Sequence, residues 1–192
     1  MSEIDTKMEV MEAVRNSWDH YGIPHDLPPS EMHNLLDILA EAVRNYGNQP
    51  AVTSLGGTLT YAELDRQSSA FASYLQQHTG LKHGDRIAIQ MPSLIQYLVV
   101  TYGAFKAGMV IVNVNPMYTA PELEYQFNHA DVKAVVVFDK FLDHTLAVKD
   151  KTPLQTIIST SPFDLHSPLK RVVMSVLMKL LGKASSSAGS IS

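Results

Sequence analysis

Residues 84–138 read GDRIAIQMPSLIQYLVVTYGAFKAGMVIVNVNPMYTAPELEYQFNHADVKAVVVF. Three short apolar runs stand out in it: GDRIAIQM, MVIVNV and VKAVVVF. Each has the length of a strand, and each is apolar along its run rather than at alternate positions, as a strand covered on both faces must be. Between them lie two stretches of helical length. PSLIQYLVVTYGAFKAG has Pro92 at its entry and Gly108 at its exit, and APELEYQFNHA is opened by Pro121, where a missing amide costs nothing. Downstream, KFLDHTLAVKDK reads as a third helix and LQTIIST as a fourth strand. Strand and helix alternating in this way predict an α/β layer, a mostly parallel sheet flanked by helices.

The chain upstream prepares that layer. From Asn34, NLLDILAEAVRNYG carries Leu35, Leu36, Leu39, Ala42 and Val43 at helical spacing, with Asn34 as N-cap and Gly47 as stop. PAVTSLGGTLTY reads as a hairpin around Gly56-Gly57. Thr60 followed by Glu63 forms a capping box for a helix with Leu64, Ser68, Phe71 and Leu75 on one face, ending near Gly80. Residues 1–33 have weak periodicity, and WDHYGIPHDLPPSE contains three prolines, so they are expected to form an extended arm. Residues 34–161 are the α/β portion. Residues 162–192 are expected to hold a basic amphipathic helix, LKRVVMSVLMKLLGK, and a Ser-rich end, ASSSAGSIS, that reads as an interrupted chain.

Composition narrows the function. The 192 residues carry a net charge of −4 and no cysteine. Disulfides and cysteine-based metal sites are excluded, in keeping with a reducing cytoplasm, and a nucleic-acid partner is not expected. The N-terminus lacks the basic-then-apolar order of a signal peptide. Charge is uneven: residues 1–166 hold 11 Lys and Arg against 19 Asp and Glu, whereas residues 167–192 hold Lys170, Arg171, Lys179 and Lys183 and no acid.

The search for chemistry is negative in an informative way. There is no G-x-G-x-x-G, no G-x-x-x-x-G-K-[ST], no G-x-S-x-G and no H-E-x-x-H. His33 and Asp37 are four apart, a spacing an acid–base pair on a helix could use, but solvated helix faces produce it freely. Asp139, Asp143 and His144 fit a helix-start acid and a surface pair. His20 and His25 have no third ligand near them. No catalytic, cofactor-binding or metal residue is therefore nominated. The segment VNVNPMYTAPELEYQF, residues 112–127, holds no nucleophile. Its Asn113 and Asn115 are expected to bond backbone groups in a turn, with Tyr118 packed beneath the loop and its hydroxyl on a partner.

Three stretches in order, LTYAELDRQSSAFASYLQ, GLKHGDRIAIQMPS and KAGMVIVNVNPMYTAPELEYQF, resemble the first part of AMP-forming acyl-CoA synthetases. The opening SWDHYGIPHDLPPSEMHNLLDIL resembles bacterial long-chain fatty-acid–CoA ligases in particular. Two small departures are Gly22 and Ile23, which intervene between Tyr21 and Pro24, and Ser93, where an asparagine is common. The resemblance covers roughly residues 15–165 and implies the first portion of the large N-terminal domain of such an enzyme. It implies ATP, Mg²⁺ and CoA as cofactors and a fatty acid as substrate. With no cysteine and no signal peptide a cytoplasmic protein is expected, and the basic segment at residues 167–183, with a lipid-borne substrate, adds peripheral contact on the inner face of the membrane as a further expectation. The family's phosphate loop, adenine pocket, ribose-binding Asp and catalytic Lys have no counterpart in residues 1–192, so the isolated chain is expected to be inactive. The rival reading is a non-enzymatic module that binds a partner or an anionic membrane surface through its basic tail. A homo-oligomer is compatible with either.

Overall fold

The computed structural model describes residues 3–26, 32–162 and 164–165. The predicted basic helix and the Ser-rich end lie outside the described residues. The chain divides into two compact units, Met1–Asn34 and Leu35–Ser192.

The first unit corrects the sequence reading. Instead of an extended arm it contains an α-helix, α1 (Glu3–His20). The prolines begin only at Pro24; before them stand Glu, Met, Ala, Lys and Arg, which favour the helix by propensity alone. Exposed on all sides between Lys7 and His20, the helix has no buried stripe to impose a clear period, which hid it in the sequence. Its end is sharply defined. Gly22 adopts φ 64°, its amide donates to the Asp19 carbonyl at 3.2 Å, and the Ile23 amide donates to the Trp18 carbonyl at 2.8 Å. This is a Schellman motif, with Gly22 in the left-handed position that glycine reaches without steric cost. The two residues that depart from the family pattern are thus the stop signal of α1.

The second unit opens with α2 (Leu35–Tyr46), then a hairpin of β1 (Pro50–Ser54) and β2 (Gly57–Thr60). The turn is one residue earlier than expected. Leu55 (φ 50°) and Gly56 (φ 70°) occupy its two central positions, and Ser54 pairs with Gly57. Positive φ at both residues matches the right-handed twist of a hairpin, but Leu55 adopts it at a steric cost. α3 (Tyr61–His78) follows directly, and its capping box is formed as predicted, with Thr60 and Glu63 exchanging bonds.

The α/β layer comprises β3 (Arg86–Gln90), α4 (Ile95–Lys106), β4 (Val110–Asn113), α5 (Ala120–His129), β5 (Val132–Phe138), α6 (Leu142–Leu146) and β6 (Thr156–Thr160). The predicted helix over 140–151 is broken up: α6 is one short turn between two 3₁₀ segments, 139–141 and 149–151. The four strands lie in the order β4-β3-β5-β6, and all neighbours are parallel. One core packs α3 and α4 against Ile87, Ile89, Ala134 and Val136. The other packs Leu123 and Phe127 of α5 against Ala88, Val135 and Val137. Both faces of β3 and β5 are covered, so Val135, Val136 and Val137 are all buried, which explains the unbroken apolar run in the sequence.

α3 and α4 meet closely at Gly103, where an added Cβ would lie 2.8 Å from the Ser68 carbonyl oxygen and 2.7 Å from Phe71 Cδ1. One turn on, Lys106 pins the pair. Its three N–H donors are shared among four acceptors within hydrogen-bond distance of Nζ: the Asp65 carboxylate at 2.7 Å, the Asp65 carbonyl at 2.9 Å, Ser68 Oγ at 2.8 Å and Ser69 Oγ at 2.9 Å.

Candidate functional site

An open parallel sheet binds ligands outside the carboxyl ends of its strands, where successive crossovers run over opposite faces. Here α4 carries the chain over one face from β3 to β4, and α5 returns it past β3 over the other. The switch therefore falls between β3 and β5. The candidate site is the edge beyond Gln90, Asn113, Phe138 and Thr160.

Each connection at this edge is tied to another. After β3, the N-cap of α4 is Leu94, an apolar residue that supplies no side-chain cap, and the Tyr97 amide of the first turn donates to the Leu94 carbonyl at 3.1 Å. Gln96, in that first turn, donates from Nε2 to the Ser161 carbonyl beyond β6 at 2.7 Å. Asp164 closes the β6 exit by accepting from the Ser161 amide and Oγ, both at 2.7 Å. After β4, Asn115 Oδ1 accepts from the Met117 amide at 3.0 Å, the side-chain turn foreseen in the sequence. Asn113 Oδ1 instead accepts from the Tyr97 hydroxyl at 3.0 Å, across the face from α4. Tyr118 is half-buried against the second core, as expected.

The loop then enters α5 through a second capping box, Thr119–Glu122, in which the Glu122 carboxylate accepts from the Thr119 amide at 2.8 Å and hydroxyl at 2.6 Å. The T-x-x-E signal for it was present in the sequence. The Thr119 hydroxyl, then its amide, hold the Glu122 carboxyl below the usual carboxylate range. At Glu63 the order is the Thr60 amide, then its hydroxyl, with a smaller contribution from Arg66. Both shifts belong to helix caps rather than to a reacting cluster.

Behind the switch point sits a buried polar pair. The Thr145 hydroxyl donates to Gln90 Oε1 at 2.8 Å; both side chains are fully buried, and Gln90 Nε2 has no hydrogen-bond partner among the described residues. The pair joins α6 to the end of β3. Fifty-five residues separate the two positions, and no local signal could have linked them.

The residues weighed from sequence go to separate places. His144 Nδ1 lies 3.2 Å from the Tyr118 carbonyl oxygen, and Asp139 opens the 3₁₀ turn after β5. His33 precedes α2, which starts at Leu35, so the helical spacing to Asp37 does not apply. His25 meets Asp19 at 2.8 Å, while His20 stands edge-on to Tyr21 at 4.9 Å. Among the described residues no group of three or more His, Cys, Asp or Glu could hold a metal ion. What the edge can do chemically is position: it fixes four loops relative to one another through side-chain amides, hydroxyls and capping carboxylates.

The chain matches the family described as AMP-binding enzyme over residues 39–177. It is 42% identical over 160 residues to the long-chain-fatty-acid–CoA ligase of Escherichia coli O6:H1, a match covering 83% of this chain and 28% of that protein. Several solved structures share its fold. The anthranilate CoA ligase in complex with anthranoyl-AMP superposes with a TM-score of 0.64 at 20% identity, over 70% of this chain and 26% of that one. A fatty acyl CoA synthetase of Mycobacterium tuberculosis gives a TM-score of 0.62 at 23% identity, over 69% and 27%. The chain spans less than a third of the length of the curated relative it matches.

Proposed function

The chain belongs to the AMP-binding enzyme family, and on that premise we propose that it forms the opening part of a long-chain-fatty-acid–CoA ligase. The observation that carries this reading is the 42% identity to such a ligase, sustained over 160 residues. In the reaction, an oxygen of the fatty carboxylate attacks the α-phosphorus of ATP and the bond to pyrophosphate breaks. The CoA thiolate then attacks the acyl carbon and AMP leaves. Neither step is placed on the described residues, whose part is to hold the sheet edge and its loops in register. Use of ATP, Mg²⁺ and CoA belongs to the whole enzyme.

Contact with an anionic membrane surface through residues 167–183 is part of the same reading. It is supported by four cations without an acid and by a lipid-borne substrate, since basic amphipathic segments are drawn to anionic headgroups. Among the described residues no helix is long and apolar enough to cross a membrane.

A hybrid tests the reading. Residues 35–165 replace the matching stretch of the Escherichia coli ligase, and ATP-dependent acyl-CoA formation from palmitate is measured. Turnover within about tenfold of the parent is expected. A soluble, cooperatively folding hybrid with no turnover would overturn the proposal.

A further inference from the structure

We propose that the outer face of α5 is self-complementary and pairs, antiparallel, with α5 of a second copy of this chain. The inner face of the helix, Leu123 and Phe127, is buried in the core. The outer face forms a groove of about 540 Å³ lined by Tyr118, Pro121, Glu122, Tyr125, Gln126 and His129. Tyr125 is 71% exposed and stacks on His129, with ring centroids 5.6 Å apart and planes 6° apart. It therefore projects as a rigid aromatic knob beside a groove on the same face. A two-fold axis turns a knob and an adjacent hole on one surface into a reciprocal fit, and tyrosine is among the residues that dominate such contacts.

Charge fixes the direction. With the two-fold axis set between Tyr125 and Gln126, antiparallel helices bring Glu122 opposite His129 of the second copy, twice by symmetry. The cap bonds go to Glu122 Oε2, which leaves Oε1 to accept from an imidazole N–H. The helix dipoles oppose as well, placing each amino end beside a carboxyl end. A parallel pairing would set Glu122 against Glu122. α5 has 10 residues, or about 15 Å of length, so the contact is smaller than the roughly 1,200 Å² of a stable interface. The association is accordingly weak and concentration-dependent.

Sedimentation equilibrium of the 192-residue chain, from about 5 to 300 µM, a range suited to weak association, provides the test. The mass is expected to rise from the 21.2 kDa of one copy toward twice that value. Tyr125→Ser and His129→Glu should each hold it at one copy, with far-UV circular dichroism confirming that both variants keep the native helix content. Tyr74→Ser, on exposed α3 surface, should leave the rise intact. A native chain that stays at the mass of one copy throughout overturns the proposal; that is the outcome if another segment or another protein covers this face. Self-association that survives Tyr125→Ser overturns it equally.

Discussion

Replacing Gly103 with alanine is expected to destabilise the second unit although alanine is the better helix former. Gly103 is buried in α4, where α3 passes closest. The new Cβ would lie 2.8 Å from the Ser68 carbonyl oxygen, 2.7 Å from Phe71 Cδ1 and 3.1 Å from Phe71 Cβ. The Phe71 ring can swing, but the Ser68 carbonyl is part of the α3 backbone. Relief requires the helices to part by a few tenths of an ångström, against the Lys106 bonds to Asp65, Ser68 and Ser69. Overpacking of this kind costs about 1–3 kcal/mol. Removing a glycine from a helix interior returns about 1 kcal/mol. The steric cost exceeds the propensity gain over most of that range, with a net loss of up to about 2 kcal/mol that combines those two figures. Urea denaturation should show the midpoint falling by about 0.5 M at unchanged slope. A midpoint above that of the native chain would refute the close approach.

Three further outcomes follow from the same structure. Thr145→Val should cost about 1–3 kcal/mol by leaving Gln90 Oε1 buried without a donor, whereas adding Gln90→Met should recover the loss, because removing both partners also removes the unpaired Nε2; a double-mutant cycle with no coupling would contradict this. Glu63 and Glu122 both titrate below the ordinary 4.5 in the folded chain, so the unfolded chain binds more protons just below that pH. Their stabilisation is complete above pH 4.5 and is lost as pH falls through the folded values. The pair Glu63→Gln and Glu122→Gln, which keeps the capping geometry, should flatten the acid limb of the stability curve, and an unchanged limb would count against the caps. Leu55→Asn should stabilise the hairpin by about 1 kcal/mol, the cost of holding a leucine at positive φ, read as a rise in melting temperature.

Much of this fold was legible in the sequence because its signals are local. The Val132–Phe138 run declared a strand covered on both faces, and Thr60–Glu63 declared a helix start. Pro121 declared another, whose Thr119–Glu122 capping box went unread although its T-x-x-E spacing is local. The hairpin was visible, but its register was not: two glycines in succession suggested a Gly56-Gly57 turn, whereas cross-strand pairing set it at Leu55-Gly56. α1 was missed because an exposed helix of good formers leaves no periodic stripe. The segment 140–151 has helical spacing but does not form one helix, since its apolar residues serve short turns packed on β5 rather than one continuous face. At the candidate site, the Asn115 turn could be read from its own residues. Gln90–Thr145, Gln96–Ser161 and Tyr97–Asn113 could not, because tertiary packing alone brings those partners together.

On the proposed function, residues 35–165 hold the sheet edge and its loops in position and supply no reacting group. Steady-state kinetics of the hybrid ligase carrying Asn115→Ala, Tyr118→Phe or Gln96→Ala test it most directly. Asn115→Ala and Gln96→Ala should lower the melting temperature, and all three variants should keep kcat/KM for palmitate within about tenfold of the unsubstituted hybrid, the scale of a positioning loss. A fall in kcat of about a thousandfold or more, of the size that follows loss of a reacting group, in a variant of undiminished stability would contradict it.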